Sequence, residues 1–380
     1  MSVLKIIVIA LEVLLLFNLL IFVHELGHFL AARWRGLQVD RFAIWFGKPI
    51  WKRTIGGVEY ALGTIPAGGY VSLPQMATME VIEGKREGPG EVTKLPNIPP
   101  LDKMIVAFAG PLFSFLLALA FALVVMIVGR PVSESEKTTT IGYVVQGGPA
   151  DEAGLRPGDR ILSVDGRPVT KFGGMGDSVT WRIVRSEGAI VPIKVERGGK
   201  ILEFLPKPSK EPTKMWERKS LRKILISPAH DLLVGDLAPN SPACLAGLLA
   251  GDRILSVDGI KLYHCNALED YAEEHPEETL RLSCLRQGQP LEISVKPEVP
   301  ATGGKASLGI LTWEDKWTLR YPGAIEQVKA SVTAMVETFG ALFAPHSDIK
   351  AQHLGGAVKI MEVYSRLFNA EQGWRSGSAS

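Results

Sequence analysis

Two stretches of the chain are apolar with no break in period, and they set the architecture. From Ile6 to Val23 an 18-residue run is interrupted only by Glu12 and Asn18, and from Ile105 to Val128 a further 24 residues carry no charge. A helix rising 1.5 Å per residue crosses a ~30 Å hydrocarbon core in about 20 residues. Both runs are therefore predicted as membrane-spanning helices, the first carried on through Phe29 to Ala32. Near the carboxy terminus, Ile325, Val328, Val332, Met335, Val336, Phe339, Leu342 and Phe343 recur at helical spacing between Glu326, Lys329 and Glu337. That pattern predicts an amphipathic surface helix and not a span. A second short helix is expected over Val358 to Phe368.

Between these regions the hydrophobic pattern shortens to strand length and repeats. Pro149 to Gly166 recurs as Pro242 to Gly259, shifted by 93 residues and identical at 14 of 18 positions. In each copy a short helix of the Pro-Ala-x-x-Ala-Gly-Leu type ends at glycine, a Gly-Asp turn leads into Arg-Ile-Leu-Ser-Val, and Asp-Gly makes a tight turn. The repeat resembles the PDZ domain of bacterial envelope proteases over residues 138–208 and 221–298. Such domains bind extended peptides, often chain termini, by adding them to a sheet edge. A pair acting only as a steric spacer fits the residues equally. Upstream, Tyr60 to Gln75 reads as a strand in which Gly68 and Gly69 permit a bulge or a close backbone approach, and its edge can hold a substrate in extended form. Gly84 to Pro100, rich in glycine, proline and charge, reads as a loop, and Ser376 to Ser380 as a polar tail.

Charge gives the orientation. Arg33, Arg35, Arg41, Lys48, Lys52 and Arg53 follow the first helix, whereas only Lys5 precedes it, so residues 33–104 are expected to be cytoplasmic and everything beyond the second helix outside. A secretory signal peptide is a poor reading of the first run, which has no small-residue cleavage site before its histidines. A net charge of +2 without any run of five like charges argues against nucleic acid as a partner. Cys244, Cys265 and Cys284 all lie in the second repeat, and their odd number leaves at least one outside any intramolecular pair.

The chemistry concentrates where the first run closes, at His24-Glu25-Leu26-Gly27-His28. Positions four apart share a helix face, so His24 and His28 can direct ring nitrogens at one zinc ion while Glu25 takes a proton from water. A chance match at a helix end is the alternative. Ionisable groups at membrane depth cost on the order of 2.5–3.5 kcal/mol each and are tolerated mainly where they have a partner or a function, which favours the metal. Asn18 lies on nearly the same face, either hydrogen-bonded within the site or packed between helices.

Val23 to Arg33, Val39 to Arg53, Ile65 to Val71 (Ile-Pro-Ala-Gly-Gly-Tyr-Val) and Phe108 to Leu112 (Phe-Ala-Gly-Pro-Leu) resemble, in order and spacing, the site-2 protease family of intramembrane zinc metalloproteases. Tandem PDZ domains after the second span belong to the same layout. The resemblance implies a multi-domain membrane protein: a helix over 1–32, a cytoplasmic membrane-associated β region with a loop over 33–104, a second helix over 105–129, two α+β PDZ domains, amphipathic helices over 307–370 and a tail over 371–380. It implies zinc held by His24 and His28, with Glu25 as general base. Gly68, Gly69, Tyr70 and Val71 would bind the unwound transmembrane segment of a single-span regulatory protein, such as an anti-sigma factor. The location would be a bacterial inner membrane, with the PDZ pair on the periplasmic side.

The departures are specific. The family's third zinc ligand is an aspartate of a Leu-Asp-Gly motif on a later span; this chain has neither, and truncation before that helix is the expected reason. Asp165 and Asp258 are turn residues, and His346, Asp348 and His353 are the remaining candidates. Ser114 stands where asparagine is common, and Ala67 and Ala357 replace leucine and proline. A non-catalytic PDZ adaptor is the rival reading.

Overall fold

Leucine, isoleucine and valine without an internal glycine before Gly27 carry helix α1 from Val3 to Trp34. It stops in a Schellman turn: Gly36 sits at φ 74°, its N–H donates to the Arg33 carbonyl, and Leu37 N–H reaches back to Ala32. Leu37, buried, supplies the apolar contact that accompanies such caps. The computed structural model describes residues 3–76, 98–213, 220–299, 304–344 and 347–350 and divides into two units at Val128. The loop expected over Gly84 to Pro100 falls largely outside the described residues. The helix expected over Val358 to Phe368, the tail, His346, His353 and Ala357 fall wholly outside them.

Within the first unit, β1 (Arg41–Phe46), β2 (Trp51–Ile55), β3 (Val58–Leu62) and β4 (Ile65–Ser72) form one sheet in the order β2-β3-β1-β4. β4 runs antiparallel to β1, with Ile44 opposite Gly69, and the register slips at Trp45, whose φ is 69°. The slip is a bulge that bends β1 beside the edge strand. Helix α2 (Pro100–Val128) starts five residues before the uncharged run, with Pro100 opening its first turn and Asp102 favouring the positive end of its dipole. Both helices contain windows long and apolar enough to cross a membrane, Ala10–Trp34 and Pro100–Val128. The carboxy-terminal end of α1 and the amino-terminal end of α2 are joined by Arg35 and the buried Asp102 at 2.6 Å. Ala32, Leu37, Val39, Phe42, Val58 and Val106 close a core between helices and sheet.

The second unit begins with β5 (Arg130–Val132). The first repeat follows: β6 (Ile141–Val144), α3 (Pro149–Glu152), β7 (Arg160–Val164), β8 (Arg167–Pro168), α4 (Val179–Arg185), β9 (Ile193–Arg197) and β10 (Lys200–Phe204). β11 (Ile226–Pro228) turns back to pair with β6. Ile224, inside the range read as the second copy, is buried in the core of the first. The second repeat comprises β12 (Leu232–Val234), α5 (Pro242–Leu245), β13 (Arg253–Val257), β14 (Ile260–Lys261), α6 (Cys265–Glu274), β15 (Leu280–Arg286), β16 (Gln289–Val295) and β17 (Trp313–Glu314). β18 (Thr318–Arg320) pairs with β5, and α7 (Ala324–Phe343) follows.

Both repeats share one buried fastener. Asp159 accepts from Arg197 Nε and Nη2 at 2.6 Å each and from Arg156 N–H, while Asp252 accepts from Arg286 at 2.8 and 2.7 Å and from Leu249 N–H. Each arginine also caps a carbonyl at the end of the short helix, of Gly154 or Gly247. The Asp-Gly turns have positive φ at both residues, 52° and 71° in one copy and 47° and 81° in the other, as a type I′ turn requires.

Candidate metal centre

The HELGH segment lies well inside α1, which ends at Trp34, six residues beyond His28, so its side chains are held by a continuous helix. The helical repeat puts His24 and His28 one turn apart, and their Nε2 atoms stand 3.3 Å from each other. Two lone pairs would not face each other at that distance without a cation or a shared proton between them. Adjacent nitrogen ligands of a tetrahedral zinc ion, at ~2.0–2.1 Å from the metal, are separated by about 3.3–3.4 Å. The pair therefore fits two corners of a zinc site.

Each ring's far nitrogen is held from α2. His28 Nδ1 lies 2.7 Å from the Val106 carbonyl, which can only accept, so Nδ1 carries the proton and Nε2 presents its lone pair. His24 Nδ1 lies 3.0 Å from Ser114 Oγ. Such contacts orient metal-binding imidazoles and raise their basicity. Neither partner is apparent from the motif, since both lie about 80–90 residues downstream. Ser114, noted in the sequence only as a departure from asparagine, is the hydroxyl that fills this role.

Two glycines make the approach possible. A Cβ on Gly110 would sit 2.2 Å from His28 Nε2, and one on Gly27 would sit 2.5 Å from the Ala109 carbonyl oxygen. Small residues at both faces let α1 and α2 touch backbone to ring. Pro111, inside α2, follows directly.

Glu25 is buried at 8% exposure, and its Cγ lies against Gly69, where a Cβ would come within 3.0 Å. Gly69 thus brings β4 onto the HELGH face of α1. Gly68, at φ 87°, lies under the Phe46 ring, which would collide with any side chain there. Tyr70 stacks on Phe46 and accepts from Arg41 Nη1 at 3.0 Å; Val71 points into the core. Of the four strand residues read as substrate-binding, Gly69 therefore lies against Glu25, while the others shape or anchor the strand. β4 is the edge of its sheet.

Asn18 is not at the metal pair: it donates to the Leu14 carbonyl at 2.7 Å and accepts from the Trp45 indole, which ties α1 to the β1 bulge. Asp348 is committed to Lys210 and Arg222. Among the described residues, no group of three or more ligating side chains includes His24 and His28.

Comparison with known proteins gives a match to peptidase family M50 over residues 12–377. The chain is similar to the regulator of sigma-E protease RseP of Escherichia coli, 31% identical over 306 residues, covering 79% of this chain and 65% of that protein. It is 29% identical over 368 residues to RseP of Salmonella typhimurium, covering 91% of this chain and 78% of that protein. It is 34% identical over 266 residues to a zinc-metalloprotease candidate of Chlamydia pneumoniae, covering 65% and 39%. The chain thus spans about two thirds of the length of the first of these relatives. Among solved structures, the PDZ domain of an SdrC-like protein from Listeria monocytogenes aligns to 23% of the chain at 21% identity and a TM-score of 0.18.

Proposed function

Because the chain belongs to peptidase family M50, we propose that it acts as a zinc-dependent intramembrane endopeptidase, hydrolysing a peptide bond in the transmembrane segment of a single-span membrane protein. The carrying observation is the 3.3 Å pair of imidazole nitrogens within a helix apolar enough to span a membrane, with Glu25 buried beside it. His24 and His28 would hold a zinc ion, which would supply the Lewis acidity for activating water and polarising a scissile carbonyl. Among the described residues no third ligand stands beside His24 and His28.

The chain's own residues do the rest. Val106 and Ser114 fix the two rings. Glu25 accepts the proton of the attacking water and returns it to the leaving amine, a role suited to a carboxylate shielded from bulk solvent. The substrate lies extended along β4, where the absence of a side chain at Gly69 lets its backbone approach the base. Transmembrane helices must unwind to be cut, because a helical amide has no free face for attack, and strand addition at β4 compensates the hydrogen bonds given up. The two repeats act as PDZ modules outside the membrane, admitting substrates whose outer domains have been shortened, anti-sigma factors among them. The location is a bacterial inner membrane, with residues 33–104 in the cytoplasm.

The adaptor reading is not favoured by the family match. Zinc analysis of the purified protein tests the two: one equivalent of metal per chain, lost in His24→Ala and His28→Ala but kept in Glu25→Gln whatever other zinc the protein carries, is expected of the protease. Metal indifferent to both histidines would remove its basis.

A further inference from the structure

A second group of ligating side chains lies far along the chain from the HELGH motif. His230 sits between β11, paired into the first repeat, and β12, which begins the sheet of the second. His264 and Cys265 open α6. One donor atom from each of the three lies within 4.8 Å of the other two, and all three residues are half-buried. No role in proteolysis or peptide binding accounts for them.

The donor chemistry is partly preset. His230 Nδ1 lies 2.9 Å from the Asp231 carbonyl, so it bears the proton and leaves the Nε2 lone pair free. The His230 backbone is pinned as well, donating to the Tyr263 carbonyl at 2.9 Å. Cys265 Sγ stands 3.7 Å from His264 Nδ1. Sulfur and nitrogen at adjacent corners of a tetrahedral ion, with bonds of ~2.3 and ~2.0–2.1 Å, are separated by about 3.5–3.6 Å. The cost of loading the site is one cap, because His264 Nδ1 accepts from Asn266 N–H at 3.1 Å. The Asp231 carboxylate is committed to Arg253 and stays out of the set.

We propose that His230, His264 and Cys265 form a three-donor site for a thiophilic ion, zinc or cuprous copper, that staples the junction between the two repeats. One thiolate and two imidazoles suit both ions: Cu(I) is satisfied by three donors, and Zn(II) takes water in the fourth position. The staple acts on the junction because Tyr143, from β6 of the first repeat, stacks on His264 with ring centroids 5.7 Å apart and donates to Asp270 of α6. Fixing His264 fixes the platform on which the first repeat leans.

The test uses the whole chain in detergent, stripped with chelator and titrated with Co(II). The HELGH pair contains no sulfur, so a thiolate-to-cobalt charge-transfer band reports only this site, and its failure is distinct from failure of the protease reading. One equivalent with that band is expected in the wild type and in Cys244→Ser and Cys284→Ser. Cys265→Ser should abolish it. His230→Ala and His264→Asn should weaken cobalt binding by at least about tenfold, the lower end of what even outer-shell changes cost. Asparagine keeps the helix cap, so the second variant stays folded. Competition by Zn(II) and by Cu(I) under anaerobic conditions, each read as loss of the cobalt band, ranks the two ions. Absence of the band in the wild type, or its persistence at unchanged affinity in both histidine variants, overturns the site.

Discussion

Replacing Gly110 by alanine adds one methyl group and should disable the metal centre. The new carbon would stand 2.2 Å from His28 Nε2, 2.6 Å from Cε1 and 2.8 Å from Cδ2. Against a contact distance of ~3.5 Å, the ring must retreat by about 1.3 Å or the helices must part. Either movement breaks the 2.7 Å bond from Nδ1 to the Val106 carbonyl, worth about 1 kcal/mol, on top of about 1–3 kcal/mol for overpacking. Displacement of a reacting group by ~1 Å costs about a hundredfold in rate. Zinc per chain, measured after equilibration against graded chelator, should drop below that of the parent at every chelator level, and cleavage of a single-span test substrate should fall by about two orders of magnitude. Gly340→Ala is the control, since its added carbon meets only Arg185 Nη2 at an ordinary 3.5 Å. If Gly110→Ala kept its zinc and cleaved within twofold of the parent, close helix approach would not be what positions His28.

Three further outcomes follow from the same geometry. Glu25→Gln should retain zinc and lose about 10²–10⁴-fold in cleavage rate, read by metal analysis and single-turnover proteolysis on the same preparation. Ser114→Ala should weaken zinc binding about tenfold by freeing the His24 ring, and Ser114→Asn should restore it, as measured by chelator competition. Asp252→Ala removes the partner of Arg286 and of Leu249 N–H and should lower the melting temperature. The Asp252 carboxyl is held below the ordinary carboxylate range by Arg286, against the opposing effect of burial and with help from Leu249 N–H. A depressed folded-state pKa makes its contribution complete above the unfolded value of about 3.9 and lost as pH falls through the folded one. The gap in melting temperature between wild type and Asp252→Ala should therefore be constant near neutrality and narrow below about pH 4.

What could be read from the chain was local. Unbroken apolar runs mark α1 and α2, and four-residue spacing puts His24 and His28 on one face, because helix geometry depends only on neighbours in sequence. The Asp-Gly turns could be read for the same reason, since two residues needing positive φ announce themselves. Contacts made across the fold gave no such sign. Val106, Gly110 and Ser114 meet the histidines only because α2 crosses α1 at that height, and an ordinary valine carbonyl leaves no trace in composition. Arg197 and Arg286 escaped the repeat comparison because they lie outside the 18-residue window and are separated by 89 positions, not 93. Asn18 shows the converse: its helical face pointed towards the site, but the bulge at Trp45 brought an indole to it first.

The two-stranded ladder of β5 and β18 sets Arg130 opposite Arg320 and Val132 opposite Thr318, so the polypeptide leaves for the repeats and comes back at one spot. The span from Ser133 to Lys316 enters and leaves through that ladder, and Glu337 of α7 and Asp348 tie back to it through Arg182 and Lys210. Evolution, or an engineer, exchanging its contents for another domain whose ends lie a strand's width apart would have to replace those two ties as well.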